Sequence, residues 1–380
     1  MSYTLGNVIK YNHYITTLML VFMTIYSHMS SPMFRIKKKE RSIIFYYGLF
    51  SLWTALSWFW AKKPSDEQKT IVISCVEIIL MLLCLIDYVN NSKDNLRKIM
   101  HIYVNATVTF GLIYYAISPI ASWGTERMGG FTPIWRNAAG YYFTFAAAFA
   151  FYLYMLKKQN KEHVKKPWGI LLLLFMAVAT GSRKVFIHIA LIILLYIILQ
   201  KEITKKVKYF IAALLLIGIA FGIGCQIPTF QNMYANRLID IFMGAESGDG
   251  STIVRSYMRV FAFTLFLESP LVGNGLNAFM SWMAANTAFR ARWNIPAMYS
   301  HCNQAELLCN SGIIGFLLYY LYPFVIVCKG MKQYHKPYVR MGISIIIAYL
   351  ILDYGTISYY MRFYIFILCI GIMCIKVETK

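Results

Sequence analysis

PWGILLLLFMAVATGSRKVFIHIALIILLYIILQ, Pro167 to Gln200, decides the fold class of this chain. As a single α-helix its 34 residues would extend about 51 Å, far beyond the roughly 30 Å of hydrocarbon in a bilayer. Lys clusters lie just before and just after it, and cytoplasmic loops of membrane proteins accumulate such residues. Two short spans joined by a hairpin with Arg183 at its tip satisfy both the length and the charge.

Similar apolar runs recur along all 380 residues, between charged clusters. With 59% hydrophobic and 14% charged residues and a mean hydropathy of +0.54, too few polar groups remain to cover a water-facing surface. A soluble globule is excluded. The expected architecture is an all-α, polytopic transmembrane bundle of eleven spans, with twelve as the alternative. The spans fall near 14–30, 42–60, 71–89, 99–118, 140–156, 167–180, 185–200, 209–227, 312–328, 341–355 and 359–375. No cleavable signal follows the first apolar run, so that span is expected to be retained.

The net charge of +21 would suggest nucleic acid in a soluble chain, but here topology explains it. Sorted by alternating side, 23 of the 37 Lys and Arg fall in the segments around Lys38, Arg97, Lys161, Lys205 and Lys332 and at the C-terminus. The opposite side's short segments hold 9, and the remaining 5 lie in one long loop. This sorting puts the C-terminus inside and the N-terminus outside. Residues 1–227 then carry spans one to eight, 228–311 form an extracytoplasmic loop, and 312–380 carry spans nine to eleven, all within one integral membrane domain.

The long loop is where polar chemistry concentrates. Ser251 is a good N-cap for a helix running toward Glu268, on which Thr252, Arg255 and Arg259 share one face. Pro270 ends that helix, a Gly-rich turn follows, and a second short helix is expected near Asn277 to Phe289. Tyr299 to Ser311 reads as a third helix feeding straight into span nine, with Asn303, Glu306 and Asn310 on a polar face.

Arg183, Arg255 and Arg259 read either as snorkelling or solvated cations or as guanidinium forks for an anionic headgroup. His301 reads either as an interface-anchoring ring or as a general base, since imidazole titrates near neutrality. Cys302 beside it lacks a partner base other than His301, which argues against a nucleophile. Glu77 and Asp353 are acids inside expected spans, a costly placement that needs either a partner or a function. The eight cysteines show no CxxC or Cys/His metal spacing, and no DxD motif or P-loop is present, so neither a metal nor another cofactor is expected.

Four stretches resemble the O-antigen ligase and polymerase superfamily of membrane glycosyltransferases. They are GSRK at Gly181 to Lys184, ERMGGFTPIWRNAAG at Glu126 to Gly140, STIVRSYMRVFAFTLFLESPLVGNG at Ser251 to Gly275, and SHCNQAELLCNSGIIG at Ser300 to Gly315. The last is the most specific, because His301 is followed by Gly312 and Gly315 at the family's spacing. The family often has Asn directly after the His, whereas this chain has Cys302 and then Asn303.

The resemblance implies inverting, metal-independent transfer of a glycan from undecaprenyl pyrophosphate on the outer face of the bacterial cytoplasmic membrane. It implies His301, Arg255 and Arg183 as catalytic residues, and Arg259, Arg237, Arg136, Arg127, Asn303 and Glu306 as substrate-binding residues. Implied partners are the lipid-linked donor and acceptor, the bilayer, a flippase and a chain-length regulator, with no nucleic acid. Richness in Lys, Ile, Asn and Tyr suggests an AT-rich genome and a Gram-positive source without lipid A, which favours a capsular or O-antigen polymerase over a ligase. A lipid-linked oligosaccharide flippase is the rival of another class, but such transporters often carry inverted repeats, and none is evident here.

Overall fold

The computed structural model describes residues 18–22, 41–61, 66–89, 92–118, 136–163, 167–204, 206–208, 210–211, 226, 231 and 250–379. Among them the chain is all-helical, without a strand. The helices are α1 (Arg41–Leu56, extended by a 3-10 turn Ser57–Trp60), α2 (Asp66–Val89), α3 (Lys93–Ala116), α4 (Arg136–Gln159), α5 (Trp168–Ala179) and α6 (Arg183–Ile198). They continue with α7 (Gly250–Glu268), α8 (Ala278–Ala285), α9 (Thr287–Trp293), α10 (Asn303–Met331), α11 (Pro337–Leu352) and α12 (Arg362–Glu378).

Five segments are long and apolar enough to cross a membrane: Arg41–Trp60, Glu67–Val89, Lys93–Ala116, Asn137–Gln159 and Asn303–Met331. Trp168–Ala179, Ile187–Ile198 and Pro337–Leu352 are shorter apolar helices. Most of the first and eighth expected spans lie outside the described residues. Large apolar side chains such as Phe45, Phe59, Ile102, Phe175 and Phe324 stand exposed on the bundle's outside, as lipid-facing residues do.

Pro167 to Gln200 folds as two helices with a turn at Thr180 to Ser182, where Gly181 takes a positive φ of 64°. Side-chain and backbone contacts sort the helix ends into two sets. At one end Lys93 pairs with Glu378 at 2.7 Å, Arg97 with Glu162 at 3.2 Å, Arg340 donates to Gln200 at 2.6 Å and Lys376 to Ser42 at 2.7 Å. At the other end Leu276 N–H donates to Ser57 O, Gln68 to Leu276 O, and Asn303 N–H to Asp353 O. The basic residues therefore crowd the first end, and the residues singled out from the long loop gather at the second. Glu77, fully buried in α2, is partnered by Arg362 of α12 at 2.7 Å. A buried acid paired in this way is a structural element.

α11 and α12 pack closely because small residues face each other. A Cβ at Gly342 would stand 2.4 Å from Gly371 O. α7 sits on a separate small core, burying Val254, Met258 and Ala262 at i, i+4 and i+8 against Phe279 and Met283 of α8 and Cys309 of α10.

Three local expectations need correction. Ser251 lies inside α7 and is not its cap. The segment after the Gly-rich turn makes two short helices, α8 and α9, because Asn286 interrupts it and caps α9 by accepting from Phe289 N–H at 3.1 Å. The helix expected from Tyr299 starts at Asn303 and does not run straight into the span: its backbone breaks at Gly312, with φ 64° and ψ −169°.

The break is filled by the turn Pro270 to Leu276. Asn274 N–H and Gly275 N–H donate to Cys309 O and Asn310 O at 2.9 and 3.0 Å, while Ile313 N–H and Ile314 N–H donate to Pro270 O and Leu271 O at 2.9 and 3.2 Å. Trp53 Nε1 of α1 supplies Ser311 O at 3.0 Å. The backbone groups freed by the kink are thus satisfied inside protein, the condition on which a broken helix is tolerated at membrane depth.

Candidate functional site

The α7 arginines are placed by helical geometry. Arg255 and Arg259 each follow a member of the buried Val254, Met258 stripe by one residue, which turns them about 100° to the stripe's edge. There they face the start of α10 and the turn after α11. Arg259 lies over the Tyr354 ring at 4.7 Å and donates to Ser256 Oγ at 2.9 Å. Arg255 is partly exposed and acts electrostatically on both His301 and Tyr141 of α4.

His301 occupies the left-handed region, with φ 59°, which a side chain larger than Gly or Asn adopts at a cost of about 1–2 kcal/mol. The residues around it enforce that conformation. Before it, Ser300 is held by Glu306, whose Oε2 accepts from Ser300 N–H at 2.7 Å and from Ser300 Oγ at 2.8 Å. After it, Asn303 is fully buried: Oδ1 accepts from Ser358 N–H and Tyr359 N–H at 2.9 and 3.2 Å, and Nδ2 donates to Tyr320 Oη at 2.8 Å and Asp353 Oδ2 at 3.3 Å. Tyr320 also donates to Asp353 Oδ2 at 2.7 Å. Backbone strain held in this over-determined way is a feature of functional positions.

The His301 ring lies against Tyr299, with centroids 4.4 Å apart. Burial pushes its pKa from 6.5 down to about 3, and the charges of Arg255 and then Lys184 push in the same direction. The imidazole is therefore neutral at physiological pH and has two cations for neighbours. Cys302 is buried, with Sγ 3.3 Å from Gln304 Oε1, and burial raises its thiol pKa, which works against a nucleophilic thiolate.

Of the residues singled out in the sequence, the structure brings His301 and Arg255 together, with Arg259 alongside through Cys302 and Tyr354. Asn303 and Glu306 are beside the site but buried, their polar groups bonded within the protein. Arg237 and Arg127 lie outside the described residues, as do the side chains of Arg136 and Arg183, whose backbones open α4 and α6. Two features were missed. Lys184, next to Arg183, hydrogen-bonds Gly355 O and acts on His301. The turn Asp353 to Tyr360 receives Lys184, Arg259, Asn303 and the Tyr47 hydroxyl, which donates to Tyr359 O at 2.8 Å. The alternation GSRK could have suggested either cation, whereas nothing in DYGTISYY marks a hub. Among the described residues no group of three His, Cys, Asp or Glu could hold a metal ion.

The fold and site together define an integral membrane protein with an imidazole and cations clustered at one end of a helical bundle. Residues 168–320 match the family model described as O-Antigen ligase, so this part of the chain is similar to the O-antigen ligase and polymerase superfamily. No curated protein matches the chain. The matched segment contains Lys184, Arg255, Arg259 and His301, while Tyr141 and the 353–360 turn come from outside it.

Proposed function

We propose that this protein polymerises lipid-pyrophosphate-linked oligosaccharide repeat units, of capsule or O-antigen type, by inverting glycosyl transfer on the outer face of the cytoplasmic membrane. The observation that carries the reading is His301 held neutral beside Arg255 and Lys184. In the reaction an acceptor sugar hydroxyl attacks the anomeric carbon of the donor. His301 takes the hydroxyl proton as the new C–O bond forms. The bond from the anomeric carbon to the pyrophosphate breaks, and the lipid pyrophosphate leaves with the electron pair, its charge met by Arg255, Lys184 and Arg183. Asn303 and Glu306 act as positioning residues that hold the His301 loop, in place of the substrate contacts expected from the sequence.

The same cations let the donor tune the basicity of that base. Efficient general bases titrate near the operating pH. A pyrophosphate seated on Arg255 and Lys184 offsets the charges that add to burial in depressing His301, so the imidazole becomes a stronger base when the donor is present.

The test is His301→Ala in proteoliposomes supplied with lipid-linked repeat units, read as a glycan ladder on a gel. A well-inserted variant is expected to give no ladder. A ladder of normal length and amount would remove His301 from the mechanism. Transfer to a different acceptor is the second reading, favoured by the ligase description of the matched family. It is distinguished by supplying donor alone: a polymerase extends it, whereas a ligase leaves it unchanged until its acceptor is added.

A further inference from the structure

Tyr141 is the feature that this mechanism leaves unused. It lies on α4, 2% exposed, and its hydroxyl has no hydrogen-bond partner among the described residues. A buried hydroxyl without a partner costs about 1–3 kcal/mol, so it marks either a defect or a site that awaits a ligand. Its surroundings favour the second. Tyr141 is within electrostatic range of Arg255 and of Tyr299, the ring that lies on His301. Its own ring meets Tyr364 edge-on at 6.1 Å and His188 at 5.8 Å. The position is therefore near Arg255, on a helix that lies outside the family-matched segment.

We infer that the Tyr141 hydroxyl is a donor-binding group, giving its hydrogen bond to a pyrophosphate oxygen of the lipid-linked donor held by Arg255. A phenol suits this role because it donates to an oxyanion without adding a third fixed positive charge beside His301, which would depress the base further. The inference rests on the function proposed above for the same site.

The experiment uses purified full-length protein in detergent, with thermal unfolding followed against added geranylgeranyl pyrophosphate, a short polyprenyl pyrophosphate. Tyr141→Phe removes only the hydroxyl. Without ligand the variant is expected to unfold at the wild-type temperature or above it, since an unsatisfied polar atom has gone. It should need about 10- to 100-fold more ligand for the same stabilisation, the usual worth of a hydrogen bond to a charged group. Tyr152→Phe is the control, because Tyr152 is equally buried on the same helix with an unpartnered hydroxyl but lies against Tyr338, on the helix that starts at the basic end. It should bind as wild type does. Wild-type binding by Tyr141→Phe, alongside weakened binding by Arg255→Met, would overturn the role of Tyr141 and leave the proposed function standing. A lower unfolding temperature for Tyr141→Phe without ligand would make the hydroxyl structural and also overturn it. If geranylgeranyl pyrophosphate stabilises neither wild type nor any variant, the reading of the site as a pyrophosphate site fails, and this inference fails with it.

Discussion

At the scale of single residues, His301 combines a strained backbone with a neutral, cation-flanked ring, and this has a consequence in pH. Its pKa in the free protein, about 3, lies below the ordinary 6.5, so acidification through 6.5 leaves the imidazole unprotonated. The disubstituted pyrophosphate of the donor keeps both charges over this range. The profile of kcat/KM, which reports the free enzyme, should therefore stay on its plateau from pH 7.5 down past 6. The acid limb of kcat, which reports the donor complex, should appear at higher pH, because the bound anion offsets Arg255 and Lys184. In Arg255→Met the kcat/KM limb should rise toward 6.5 without reaching it, since burial, the largest cause, remains. Coincident limbs at 6.5 would show that His301 does not feel these cations.

Glu306 gives a second test at this scale. Its carboxylate holds Ser300 through two hydrogen bonds, so Glu306→Ala should loosen the residue before His301 without touching the substrate. A misplaced base costs rate more than binding, and kcat is expected to fall about 10- to 100-fold with KM little changed. Glu306→Gln, which keeps an acceptor oxygen, should recover part of the loss. A rise in KM at constant kcat would instead assign Glu306 to substrate binding.

At the scale of elements, the Gly-rich turn and the kinked helix form one unit. Gly312 has φ 64° and a Cβ there would stand 2.3 Å from Leu271 O, while Gly273, with φ 74°, would place its Cβ 2.5 Å from Asn310 O. Gly312→Ala therefore pays for both a left-handed backbone and overpacking, about 2–5 kcal/mol together. The expected outcome is a large drop in folded yield and unfolding temperature, measured on detergent extracts. Gly48→Ala is the comparison: nothing lies within 4 Å of its Cβ position in α1, so it should be neutral or slightly stabilising. Equal behaviour of the two variants would mean that the α10 break does not depend on glycine.

This unit also shows how far sequence reading reaches. Pro270 and the paired glycines mark a turn, and the interval from His301 to Gly312 and Gly315 marks a motif, so both elements are legible. That the turn plugs the helix is not, because hydrophobic pattern reports which residues are apolar and says nothing about a φ of 64° inside a continuous run. The polar face of Asn303, Glu306 and Asn310 was legible as a face, but its direction was not. Spacing cannot distinguish side chains turned toward substrate from side chains bonded within the protein, as Asn303 is to the 353–360 turn and Glu306 to Ser300. That turn itself, a short polar connector between apolar runs, has no periodicity from which a role can be read.

At the scale of the whole molecule, the proposed mechanism depends on which end of the bundle faces outward. Arg41, Lys93, Arg97, Lys157, Lys158, Lys201, Lys332, Lys336, Arg340 and Lys376 belong to the end opposite His301. Positive residues near span ends favour the cytoplasm, and this distribution is what supports the proposal that His301, Arg255 and Lys184 face outward. Lipid-linked repeat units that have been flipped across the membrane would meet them there. The arrangement is testable in intact cells with a membrane-impermeant maleimide, with wild-type labelling subtracted as background. Thr287→Cys, exposed at the start of α9 on the His301 side, should be labelled, and Gln159→Cys, exposed at the far end of α4, should be labelled only after the cells are opened. The reverse pattern would put His301 on the cytoplasmic side, where it could not act on flipped donor, and the polymerase reading would fail regardless of how the site's residues behave individually.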